Sequence, residues 1–73
     1  MDEFFKALRV WFMDEKNKKL LAGTEGVRIG KVLIALQSKE RNTVNMPAAH
    51  ADMVEVMTEL HKSAGLTLPE WVK

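Results

Sequence analysis

The segment Asn45–Gly65 constrains this chain more than any other, because it carries a helix complete from start signal to stop signal. Asn45 or Met46 can cap it, Pro47 sits in the first turn where its missing N–H costs nothing, and Gly65 can end it. Between them Ala49, Met53, Val56, Met57, Leu60 and Ala64 share one face, while Asp52, Glu55 and Glu59 fall on another. An apolar stripe at this period needs a partner surface, so the spacing predicts an all-α fold: a small three-helix bundle with a short C-terminal turn, formed by the single domain 1–73.

The first helix is predicted from Asp2, with Phe4, Phe5, Leu8, Trp11 and Phe12 inside a stripe about 120° wide. Continued further, it would put Glu15 and Lys19 in the middle of that stripe. The core-facing part should therefore stop near Met13, leaving 14–19 as a polar turn or a loop. The Val, Phe and Trp of 8–13 also fit a strand, with the helical spacing as the better match. The second helix is predicted after Thr24, a good N-cap, running to about Glu40. Val27, Ile29, Val32, Leu33, Ile34 and Leu36 cover well over half its circumference, the pattern of a central helix contacted on two sides. Residues 27–36 also fit a buried strand. Gly26 and Gly30 lie within the apolar arc and cost about 1 kcal/mol each against alanine, which close approach of another backbone would offset. Arg41–Val44 reads as a loop, and the apolar tail, with Leu66, Leu68, Trp71 and Val72, should fold back on the body or onto a second copy.

A chain of 73 residues buries only about 60% of its unfolded surface, so something must supplement its core. The sequence has no cysteine, which excludes disulfides and thiolate metal sites. Oligomerisation is the remaining device, and a homodimer is expected. The acidic N-terminus lacks the basic region of a signal peptide, and Val32–Leu36, the longest apolar run, is far short of a membrane span. A cytoplasmic, soluble protein without a membrane partner is the expectation.

Charge is unevenly spread. Residues 1–43 carry nine Lys/Arg and six Asp/Glu, whereas 44–73 carry two and four. Arg28, Lys31 and Lys39 lie on the polar side of the second helix, with Arg41 just beyond, and such an arc suits nucleic acid or an acidic protein. The pI of about 8.1 and the lack of interleaved aromatics make nucleic acid the weaker alternative. Asp52, Glu55 and Glu59 lie side by side without any sign of the burial that acid–base chemistry requires. Gly23, Gly26, Gly30 and Lys31 fail the phosphate-loop spacing, and Val32 stands where Ser or Thr is needed. No Ser/His/Asp signature is present. The sequence argues against an enzyme, and no cofactor or metal is expected.

Partner-binding candidates are Met53 and Met57, which pack adaptably, His50 and His61 at the border of the same stripe, and Trp71, a hot-spot residue if exposed. The two histidines are eleven residues apart, about 16 Å along a helix, too far to share a metal within one chain. In size and style the chain resembles the small accessory proteins of phages. The leading expectation is a regulatory or inhibitory protein–protein interaction module that docks on a larger protein; the alternatives are a nucleic-acid-associated protein and an oligomeric component of an assembly.

Overall fold

Helix-forming sequence and local capping account for most of the chain. The computed structural model describes residues 2–73, with backbone alone at 39 and 40. Three α-helices, α1 (Asp2–Met13), α2 (Thr24–Gln37) and α3 (Met46–Ala64), are joined by 3-10 segments at Glu15–Ala22 and Lys39–Thr43. The described residues contain no strand, so 8–13 and 27–36 are helical.

α1 ends where its apolar stripe ends. The Asp14 N–H bonds the Trp11 carbonyl, and Asn17 Nδ2 donates to the same carbonyl at 2.8 Å. These bonds occupy an acceptor that the last turn of a helix leaves free. Asp14 Oδ1 accepts from the Lys16 N–H at 3.0 Å and starts the first 3-10 segment. Leu20 and Leu21 of that segment pack on the core, while Glu15, Lys16, Lys18 and Lys19 face solvent.

α2 starts one residue earlier than its sequence suggests. Gly23 takes the N-cap position without a side-chain bond, and Thr24 is already helical. Just inside that start, a Cβ on Gly26 would lie 2.1 Å from the Leu21 carbonyl oxygen, so only glycine lets the 3-10 segment seat against α2. α2 also ends early, at Gln37, where Ser38 Oγ donates to the Ala35 carbonyl at 2.9 Å. The Arg41–Val44 region is largely a 3-10 turn rather than irregular loop.

α3 follows its signals closely. Asn45 Oδ1 accepts from the Ala48 N–H at 3.1 Å. At the far end Gly65 has φ 68° and ψ 28°. The Gly65 N–H bonds the Lys62 carbonyl, and the Leu66 N–H bonds the His61 carbonyl. This paired closure is the Schellman stop that a left-handed glycine permits.

The core joins Phe4, Phe5 and Leu8 of α1, Ile29 and Leu33 of α2, Met53, Val56, Met57 and Leu60 of α3, and Val72 of the tail. α3 supplies the most. Its Met53, Val56 and Met57 are at most 1% exposed, and full burial of such a side chain contributes about 1.5–3 kcal/mol. α2 touches both other helices, yet leaves Val27 and Ile34 outside. α2 is thus contacted on two sides, as its broad arc predicts, while α3 supplies the larger share of the buried side chains; an apolar arc as wide as that of α2 exceeds what two neighbours can enclose.

Candidate functional site

The residues expected to meet a partner through α3 are occupied in the fold. Met53 and Met57 are 0% exposed. The expectation that they present a docking stripe fails for a physical reason: the stripe is narrow, and the core takes all of it. His61 is buried as well, with Nδ1 2.8 Å from the Met57 carbonyl oxygen and its ring 5.6 Å from that of Trp11. His50 is half-buried, edge-on to Phe4 at 4.4 Å between centroids. Trp71 is half-buried against the same Phe4, at 5.6 Å. Phe4 and Trp11 lie two turns apart on α1 and meet His50 and His61 respectively, so α1 and α3 run parallel and the histidines form their seam. Trp71 fastens the returning tail to the start of α1. Among the described residues no group of three His, Cys, Asp or Glu side chains is placed to hold a metal ion.

The basic arc is broken up in a similar way. Arg28 reaches across to Asp52 of α3 in an ion pair, which ties two helices together and removes one cation from any partner. Lys31 is exposed. The side chain of Lys39 lies outside the described residues. Arg41 is exposed and belongs to a different surface, described next.

That surface centres on α1. Lys6, Arg9, Val10 and Met13 follow the i, i+3, i+4, i+7 spacing and share the side of α1 turned from the core. Val10 and Met13 are each 70% exposed, and Lys6 and Arg9 are exposed beside them. This spacing is present in the sequence, where the stronger aromatic stripe on the opposite side of α1 masks it. Lys6 and Arg9 also border a groove between α1, the C-terminal end of α2 and the start of α3. Its floor is Phe5, Leu33, Leu36 and Met46, and Arg41 closes its far rim. On α2, Val27 (55% exposed) and Ile34 (70%) lie two turns apart and form a second apolar strip.

No protein-family model, curated protein or solved structure matches the chain. Among the described residues no helix is long and apolar enough to cross a membrane.

Proposed function

We propose that this chain is a small regulatory or inhibitory protein–protein interaction module, a three-helix bundle that docks on a larger protein through the outer face of α1. The observation that carries this reading is the pair Val10 and Met13, fully two-thirds exposed beside Lys6 and Arg9 on one helical face. A chain this short has little apolar surface to spare. Large apolar residues grouped with cations, rather than scattered singly, support a binding surface. The cysteine-free composition suits a cytoplasmic setting. The Val27 and Ile34 strip of α2 supports a homodimer that pairs two copies and leaves α1 free.

The test is a pull-down from the native cell lysate at physiological salt, with wild type beside Val10→Asp plus Met13→Asp. Both side chains point to solvent, so the variant is expected to stay folded by circular dichroism and to lose a dominant captured protein. An empty wild-type lane, or capture unchanged by the double substitution, contradicts the reading. For the dimer, light scattering should exceed the 8.3 kDa of one chain and return to it in Ile34→Lys; a wild-type monomer at micromolar concentration rules the dimer out.

A further inference from the structure

The docking reading leaves open what kind of partner α1 meets, and the neighbouring groove supplies the chemistry. Its volume is about 420 Å³, and it is an open trough rather than an enclosed pocket. Three features define it. The floor is apolar, built on Phe5, Leu36 and Met46. The rim carries Lys6, Arg9 and Arg41, contributed by α1 and by the 3-10 segment after α2. None of these three cations has an ion pair among the described residues, in contrast with Arg28, held by Asp52, and Lys18, held by Glu15. Among the described residues Asp2 is the one acid at the groove.

We infer that this groove receives an acidic amphipathic helix of a partner protein, with apolar side chains on the floor and carboxylates over Lys6, Arg9 and Arg41. The inference rests on the docking reading and narrows it. An apolar trough suits helix-in-groove recognition, where one helical face supplies anchors at i, i+3, i+4 and i+7. Uncompensated cations at the rim select negative charge and speed the encounter. Nucleic acid fits less well. Phe5 is buried in the floor, edge-on to Phe4, and Trp11 and Trp71 are engaged with His61 and Phe4. No aromatic face is left at the groove for a base to stack on. A second copy of this chain fits less well too. Its exposed acids Glu55 and Glu59 stand on α3, whose apolar face is already in its own core, whereas its exposed apolar pairs, Val10 with Met13 on α1 and Val27 with Ile34 on α2, stand beside cations, so no one helix face offers both apolar anchors and carboxylates.

The five methionines offer a direct readout. Full-length protein labelled with carbon-13 at the methionine methyls is titrated with a synthetic peptide of about eighteen residues, Leu on one face and Glu on the other, long enough to reach helical form when bound. The Met46 methyl signal should shift, while those of Met53 and Met57 stay in place. Arg9→Glu plus Arg41→Glu, both at exposed positions, should weaken the peptide by about tenfold or more and flatten its salt dependence. A Leu/Lys peptide of the same pattern should bind far more weakly. Equal binding of the two peptides, or tighter binding of a single-stranded oligonucleotide, overturns the assignment. So does an unmoved Met46 methyl. If lysate capture survives Arg9→Glu plus Arg41→Glu while the Leu/Glu peptide fails to bind, the groove assignment falls and the docking reading stands. A wild-type protein that captures nothing removes both.

Discussion

α2 and α3 are both rich in apolar side chains and use them in opposite ways. α3 directs Met53, Val56, Met57 and Leu60 to one side, and all are buried. α2 spreads its apolar residues around the helix, buries Ile29 and Leu33, and leaves Val27 and Ile34 in solvent. The difference teaches that the helix contacted on two sides need not be the one that buries most of its apolar surface. A narrow stripe can be covered completely by two neighbours; a broad one has a remainder, and the remainder lies where other molecules reach it. In this protein α3 holds the fold, and α1 and α2 carry the spare surface.

The sharpest way to break that contrast is to cut into the α3 stripe. Met57→Ala removes a fully buried side chain, and such truncations cost about 2–5 kcal/mol. A domain of this length has a total stability of roughly 4–11 kcal/mol, so the variant should show a large fall in urea midpoint or no folded baseline at all. A midpoint near wild type would mean that α3 is not the anchor.

The glycines of α2 sharpen the contrast from the other side. Gly26 faces the Leu21 backbone at a distance no Cβ tolerates, whereas a Cβ at Gly30 would meet Phe12 Cζ at 3.5 Å, an ordinary contact. Gly26→Ala should therefore destabilise by about 1–3 kcal/mol through overpacking. Gly30→Ala should stabilise by about 0.5–1 kcal/mol through helix propensity. Thermal unfolding of the two variants reads the opposite signs. A shift of the same sign in both would show that the 3-10 segment does not seat on α2 in this manner.

Much of this architecture is legible in the sequence where one signal acts alone. The cap at Asn45, the stop at Gly65 and the end of α1 at Met13 follow from local chemistry, and the structure has all three. The close backbone approach expected at the α2 glycines is present at Gly26 and absent at Gly30, because periodicity does not reveal which side of α2 the 3-10 segment will cross. The site is less legible. Nothing local says that Arg28 finds Asp52 across two helices, or that Arg41 joins Lys6 and Arg9 at one groove, because these are long-range placements. The methionines mislead for a related reason. An adaptable side chain suits a core and a binding surface equally, and only the packing decides between them.

That packing can be measured on the methionines themselves. Dilute hydrogen peroxide converts an accessible methionine to its sulfoxide, at a rate that follows exposure. Met13 is 70% exposed, Met46 half-buried, and Met53 and Met57 are 0% exposed. On the native protein, peptide mass spectrometry should find Met13 oxidised first, Met46 more slowly, and Met53 and Met57 only under conditions that unfold the chain. Oxidation of Met53 and Met57 in step with Met13 would place the α3 stripe in solvent and contradict the division between a closed α3 core and an open α1–α2 surface.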